Sequence, residues 1–206
     1  MADCSDAYWN HNAAYHPWLV TIAEQHRGDV LDVGCGEGLL AQRLAAVSRA
    51  VTAIDPDASA VRRAHTRLGD HHPQITLSQS TFDAFDARGG RFDLITFVAS
   101  LHHMDLRSSL RKARQLLTAT GEIAVVGLSA NRSLADWLVS AAYLPAVRIA
   151  SLRHAERRDI GVVVSDPRES LAEIRRTADD VLPGVRIRRG LYYRYLLRWT
   201  NTEVIG

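Results

Sequence analysis

Cysteine and long apolar runs are scarce in this chain of 206 residues. Its two cysteines, Cys4 and Cys35, are too few for a disulfide framework or a structural zinc site. No apolar run approaches the roughly 20 residues that span a bilayer. The first residues, MADCSDAYW, lack the basic start and the apolar core of a signal peptide. These absences predict a protein of the reducing cytoplasm with no membrane partner.

Lysine is almost absent, since Lys112 is the only lysine among 25 basic residues. The net charge of +2 does not imply a nucleic-acid partner. Arginine is nevertheless dense between residues 148 and 198. This stretch is either a solvated surface or a docking face for an acidic partner or substrate, and the sequence alone leaves both open.

Strands and helices alternate over the first 128 residues, which predicts a parallel sheet covered on both faces. The length suits a single domain over residues 1–206. Two closing strand-like runs joined by Gly190 predict an antiparallel hairpin. Helices are expected near 6–26 and from the "DPRE" of 166–169 onward. The seven expected strands are 29–33, 50–55, 74–79, 92–99, 121–128, 185–189 and 192–199.

The stretch "VLDVGCGEG" at 30–38 is the most informative motif, because its glycines stand where a strand turns into a helix. Glycine lets the backbone turn tightly and approach a ligand closely. The spacing G-x-G-x-G differs from the G-x-G-x-x-G of dinucleotide enzymes. Asp32, just before the turn, would repel a pyrophosphate but suits a ligand that carries an ammonium and a sulfonium group.

A second acid, Asp55, ends the next predicted strand 17 residues after Gly38. An acid at this position can accept hydrogen bonds from both hydroxyls of a ribose. Pro56 then offers a flat apolar surface beside a base. The alternative is that Asp32 and Asp55 merely cap turns.

Four motifs in this order resemble the class I S-adenosylmethionine (SAM) dependent methyltransferases, of the small single-domain, methyltransferase type 11-like kind. They are "LDVGCGEG", "IDPD", "FDLITFVASLHHM" and "LLTATGEIAVVG". The resemblance implies a Rossmann-like, doubly wound, mostly parallel seven-stranded sheet with a C-terminal antiparallel hairpin. It also implies SAM as the cofactor and S-adenosylhomocysteine as its product.

The resemblance assigns binding roles to residues of this chain. Asp32 would orient the amino group of SAM, and Asp55 would hold its ribose. Thr81 stands where the family often has an acid that accepts from the adenine amino group, and a hydroxyl accepts more weakly. Cys35 is expected to be a small packing residue rather than a nucleophile. The other residues implied at the cofactor are Tyr15, Gly34, Cys35, Gly36, Pro56, the backbone of Phe82, Val98 and Ala99.

The aromatic stretch "YWNHNAAYHPW" at 8–18 belongs to a segment, 1–27, that the resemblance makes an N-terminal lid helix over SAM. His11, Tyr15 and Trp18 share one helical face, and Tyr15 is expected nearest the sulfonium. His16, before Pro17, is expected to end or kink the first helical segment. Simple packing of this segment onto the sheet is the alternative. A metal site fits poorly, since His11 and His16 are five residues apart.

Two imidazoles, His102 and His103, follow the fourth predicted strand, at the sheet edge where such folds place their sites. The resemblance makes His103 structural, so His102 is the candidate general base. Residues 129–166 are expected to form a helical substrate cap after the fifth strand, with a helix pair that completes the core as the alternative. Arg132 there either binds an acidic acceptor or lies on the surface.

These features predict methyl transfer to the oxygen, nitrogen or carbon of a small molecule, such as a secondary metabolite. One alternative is a methyltransferase that grips a protein or nucleic acid through the arginine-rich part. Another is a SAM-binding scaffold or regulatory protein without catalysis. Nothing in the sequence indicates an oligomeric state.

Overall fold

The computed structural model describes residues 12–130, 167–190 and 194–202. Most of the predicted cap and residues 1–11, with His11, lie outside the described residues. Among the described helices, none is long and apolar enough to cross a membrane.

A single seven-stranded sheet has the order β3-β2-β1-β4-β5-β7-β6. The first five strands pair in parallel, and β7 runs antiparallel between β5 and β6. The predicted doubly wound sheet with its antiparallel hairpin is thereby confirmed. The strands are β1 (Asp29–Val33), β2 (Ala50–Asp55), β3 (Ile75–Gln79), β4 (Phe92–Val98), β5 (Leu117–Leu128), β6 (Arg186–Arg189) and β7 (Arg194–Thr200).

Strand β5 begins four residues before its predicted start at Gly121. Leu117 pairs with Phe92, and the register then shifts so that Leu94 pairs with Glu122. A Cβ atom at Gly121 would lie 2.7 Å from the carbonyl oxygen of Phe92, so the irregularity depends on a residue without a side chain. The glycine of the "TATG" run suggests a turn in the sequence, but in the structure it belongs to the bulge within β5.

Five helices cover the two faces of the sheet. Helices α1 and α2 pack on one face, against Val30 and Leu94, and α4 and α5 pack on the other, against Phe97 and Val125. The described helices are α1 (His16–His26), α2 (Leu39–Ala45), α3 (Ala58–Leu68), α4 (Leu106–Leu116) and α5 (Leu171–Val181).

Helix α1 begins at His16, after a short 3-10 turn over Ala13–Tyr15. His16 caps the end of the 3-10 turn and starts α1, so the helix type changes at the residue expected to end or kink the first helical segment. Pro17 fits because the missing N–H of a first-turn residue has no helical partner to lose. Leu19, Ile22 and Ala23 are at most 1% exposed, so the segment from His16 onward is packed as a core layer.

Helix α5 is capped by Ser170 and not by the predicted Asp166. The Ser170 hydroxyl accepts from the backbone N–H of Glu173, and the Glu173 carboxylate accepts from the backbone N–H of Ser170 at 2.7 Å. Such a reciprocal box satisfies two backbone donors at once. "DPRE" and "SLAE" carry the same kind of signal four residues apart, which is why the start was misplaced.

Candidate functional site

The glycine loop lies between the carboxyl ends of β1, β2 and β4. The backbone N–H groups of Gly34 and Cys35 both donate to the carbonyl of Ile54, at 2.8 and 3.0 Å. Gly34, with φ of 75°, would place a Cβ atom 2.4 Å from that of Ser100. The Ser100 hydroxyl in turn donates to the carbonyl of Val33 at 2.6 Å. The loop is thus held on both sides, and its close approach to β4 depends on glycine.

Asp55, at the tip of β2, accepts the backbone N–H of Gly36 through Oδ2 and that of Asp57 through Oδ1, both at 2.9 Å. Asp57 caps α3 by accepting from the N–H of Ser59 at 2.8 Å. The carboxylate therefore does organise turns, as the capping alternative holds. Each carboxylate oxygen can accept a further bond, so the half-buried Asp55 still has capacity for a ligand beside the glycine loop.

Asp32 is only 1% exposed and lies on the face of the sheet covered by α1 and α2. Its Oδ1 accepts from the Thr96 hydroxyl at 2.8 Å, while its Oδ2 has no partner among the described residues. Burial, and secondarily the charge of Asp55, raises the pKa of Asp32 to about 7 against the opposing Thr96 bond. An ammonium group of a ligand would supply both the missing donor and the missing positive charge.

The predicted adenine side is built on Phe82, which is buried against Phe97 in an edge-to-face contact of 5.4 Å. The Phe82 side chain thus belongs to the core and leaves only its backbone for a ligand. Thr81 is exposed, and its hydroxyl oxygen accepts from the N–H of Ala84 at 3.2 Å. Its own O–H can still donate. Pro56 is exposed immediately after Asp55.

Strand β4 ends at Val98, and the chain then turns sharply at Ala99. Ala99 has a φ of 51°, a left-handed conformation that costs a non-glycine residue of order 1–3 kcal/mol. Its N–H donates to the carbonyl of Val126 at 2.8 Å, which holds the turn on β5. Such strained positions cluster at functional sites.

His102 and His103 lie in the short 3-10 turn Leu101–His103 that follows Ala99. Their rings are in contact, with centroids 4.0 Å apart and ring planes tilted by 37°. His102 is half-buried and His103 is exposed, so His102 is the more sheltered of the two, and the structural role of His103 stays a prediction. His102 stays the candidate base, on the side of the turn sheltered from solvent.

Cys35 and Glu37, both in the glycine loop, have structural roles. Burial and the charges of Asp32 and Asp55 raise the pKa of the Cys35 thiol far above its ordinary value. The thiol therefore stays protonated, as expected for a packing residue. Glu37 was missed by the sequence analysis, and its carboxylate binds Arg63 Nε at 2.9 Å. This ion pair ties the loop to α3, and only contact between two separate elements reveals it.

Tyr15 lies at the hairpin end of the carboxyl edge. A Cβ atom at Gly190 would be 2.7 Å from the Tyr15 hydroxyl. The Asn12 side-chain oxygen accepts from Arg194 at 2.6 Å, which fastens the same segment to β7. The structure thus brings Asp32, the glycine loop, Asp55, Val98 and Ala99 together, whereas Tyr15 contacts the hairpin, and its place at the sulfonium stays a prediction. Within the described ranges, no group of three potential ligands could hold a metal ion.

Comparison with known proteins agrees with this geometry. A family model described as a methyltransferase domain matches residues 30–121, which contain the glycine loop, Asp55 and both histidines. Over 195 residues the chain is 34% identical to an uncharacterized methyltransferase of Mycobacterium tuberculosis (strain ATCC 25618 / H37Rv), covering 94% of this chain and 98% of the relative. It is 31% identical over 128 residues to a ubiquinone biosynthesis O-methyltransferase of Escherichia coli O157:H7 (strain EC4115 / EHEC), covering 59% of this chain and 52% of the relative.

Solved structures share the fold. The N-methyltransferase NodS from Bradyrhizobium japonicum WM9, in complex with S-adenosylhomocysteine, superposes with a TM-score of 0.65 at 17% identity. The match covers 94% of this chain and 89% of NodS. The orphaned oxygen of Asp32 and the glycine loop fit the ammonium-bearing end of SAM, which is the cofactor. The chain belongs to the family of class I SAM-dependent methyltransferases.

Proposed function

We propose that this methyltransferase acts on a small molecule, at an oxygen, nitrogen or carbon atom. The observation that carries the proposal is the half-buried His102 at the carboxyl end of β4, beside the strained turn at Ala99 and the glycine loop. A half-buried imidazole that follows β4 at this edge is suited to one small acceptor group.

Described arginines of the C-terminal part support a small acceptor over a macromolecule. Arg194 binds Asn12, and Arg198 binds the buried Glu122 and Gln25, so both are used within the fold. The exposed Arg186 and Arg188 lie on the edge strand β6, four strand positions from β1. This is about 19 Å at the usual strand spacing. Charged residues on an edge strand also protect it from pairing with other chains.

Residues 129–166 are proposed to form a cap on the substrate within a single domain of residues 1–206. The chain leaves the sheet after Leu128, and the N–H of Ala130 donates to the carbonyl of Glu169 at 2.8 Å. Ala130 also forms a bridge with Ser170. The residues on either side of this segment are therefore bonded to each other beside the carboxyl edge. The free Cys35 thiol is compatible with the proposed cytoplasmic location.

In the proposed mechanism, bound SAM supplies an electrophilic methyl group on a positively charged sulfur. Asp32 would hold its amino group, Asp55 its ribose, and the loop Gly34–Gly36 its methionine part, with Val98 and Ala99 alongside. Pro56, Thr81 and the backbone of Phe82 would contact the adenine. His102 would take the proton that the acceptor loses when its oxygen, nitrogen or carbon atom receives the methyl group and S-adenosylhomocysteine is released. Alignment and exclusion of water supply the remaining rate enhancement.

The test is transfer of a radiolabelled methyl group from SAM to a defined panel. The panel contains catechol, 4-hydroxybenzoate, tyramine, total protein and total RNA, each with the wild-type chain and with Asp55→Ala. We expect label in a small product that organic solvent extracts, and much less with the variant. Label in protein or RNA would identify a macromolecular acceptor and contradict the proposal. Binding of SAM by calorimetry without transfer to any acceptor would favour the scaffold alternative.

A further inference from the structure

Tyr195, the second residue of β7, lies across the neighbouring strand. It pairs with Gly127 in the register of β5 and β7. A Cβ atom at Gly127 would be 2.2 Å from Cζ and 2.4 Å from the hydroxyl oxygen of Tyr195. The ring and the hydroxyl of Tyr195 therefore reach from β7 into the space above Gly127 on β5.

The Tyr195 side chain is only 2% exposed, and its hydroxyl makes no hydrogen bond to another described residue. Buried tyrosine hydroxyls normally find a partner. Burial and the nearby charge of Glu169 raise the pKa of Tyr195 above its ordinary value. The phenol therefore stays protonated and keeps a donor that nothing in the described protein uses.

The position of Tyr195 relates it to His102. Val98, Val126 and Leu196 stand in one row across β4, β5 and β7. Tyr195 lies one step closer to the carboxyl edge, on the face that Leu101 also covers. Leu101 begins the turn that carries His102. Tyr195 and His102 thus belong to the same corner of the sheet, one at the carboxyl-edge end of β7 and the other in the turn after β4.

We propose that the Tyr195 hydroxyl hydrogen-bonds the methyl acceptor and orients it against His102, an inference that rests on the proposed function. Tyr195 is a positioning residue, since its phenol donates to a lone pair of the acceptor and takes no part in bond exchange. The acceptor it fits is a polar small molecule with an oxygen or nitrogen near the atom that is methylated. Gly127 serves the same purpose by leaving room for the ring.

The test compares Tyr195→Phe with the wild-type chain on each panel compound that the wild type methylates. The variant keeps the ring and loses only the hydroxyl. We expect the KM for the acceptor to rise about tenfold, the scale of one lost hydrogen bond, with the Kd for SAM unchanged within about twofold. If the hydroxyl has only a structural role, its loss would lower the melting temperature and leave the KM for the acceptor unchanged.

Trp199→Phe is the matched control, because Trp199 lies on the same strand and the same face. Its Nε1 donates to the carbonyl of Pro183 at 3.0 Å, and it pairs with Ile123. We expect this variant to melt earlier with wild-type KM. Wild-type acceptor kinetics in Tyr195→Phe would overturn this inference and leave the proposed function intact. If the wild-type chain methylates no small compound of the panel, the proposed function fails first and the inference with it.

Discussion

The two edges of the same sheet treat buried polar groups in opposite ways. At the amino edge, the carboxylate of Glu122 is 2% exposed and is bound by Arg198 and by His26, the latter at 3.3 Å. Asp93 at the same edge accepts from the N–H of Asp29 at 2.9 Å and from the hydroxyl of Thr118 at 3.0 Å. Every one of these carboxylates is used within the fold, so this edge contributes stability.

The carboxyl edge keeps buried polar atoms without partners among the described residues. Asp32 Oδ2 is one of them. His16 Nδ1 is another, in the first turn of α1 at this end of the sheet, and the residue is 5% exposed. Burial, and then the charge of Arg43, lowers the pKa of His16 to about 3, so its ring is neutral. Unsatisfied buried groups cost stability, and the unsatisfied oxygen of Asp32 beside the glycine loop marks where a ligand completes the structure.

The largest effect is expected at His102. His102→Ala should lower methyl transfer by about 10²–10⁴-fold, the usual scale for a lost general base, with SAM affinity nearly unchanged. The sheltered position of His102 is the reason. Single-turnover transfer and SAM calorimetry measure the two quantities.

His103→Ala is the matched control for this variant. The exposed His103 side chain should change transfer by less than about threefold, since surface substitutions have small effects. Loss of transfer in His103→Ala with a silent His102→Ala would reverse the assignment of the two residues. Full rates in both variants would mean that alignment alone carries the reaction.

Effects of intermediate size are expected from two separate variants, one that removes Asp55 at the carboxyl edge and one that removes Asp93 at the amino edge. Asp55→Ala should weaken SAM binding by about 1–3 kcal/mol, because bonds to the ribose and to Gly36 are both lost. Asp93→Ala should lower the free energy of unfolding by a similar amount and leave SAM binding intact. Calorimetry and denaturant unfolding of both variants test this contrast. Equal SAM affinities in the two variants would remove Asp55 from the site.

The sequence predicted these features unequally. The strands and the glycine loop were predictable, because hydrophobic periodicity and a G-x-G-x-G turn are local signals. The early start of β5 at Leu117 was not, since the bulge at Gly121 depends on contact with Phe92. Tyr195 was missed because nothing in "YYRYLL" distinguishes it from its neighbours. Its meaning comes from the register with Gly127, a contact between residues 68 positions apart (195 minus 127).

The smallest effect is a pH dependence carried by Asp32. Its carboxyl has an ordinary pKa of 3.8, which burial raises to about 7 in the folded chain. Between these values the folded state keeps a proton that the unfolded state has lost, so the free energy of unfolding falls as pH rises. Above about pH 7 both states are ionised, and this contribution no longer changes.

Binding of the SAM ammonium requires the ionised carboxylate, so below pH 7 SAM binding should release this proton. The affinity should then fall by at most about tenfold for each pH unit below 7. Asp32→Asn keeps the shape and cannot ionise, so its weaker affinity should be flat between about pH 5.5 and 7. Calorimetry in buffers of different ionisation enthalpy counts the released protons directly. Because other groups also titrate in this range, the informative quantity is the difference between the two proteins. An equal pH slope in wild type and Asp32→Asn would show that Asp32 does not face the ammonium, and that the orphaned oxygen at this edge has another role.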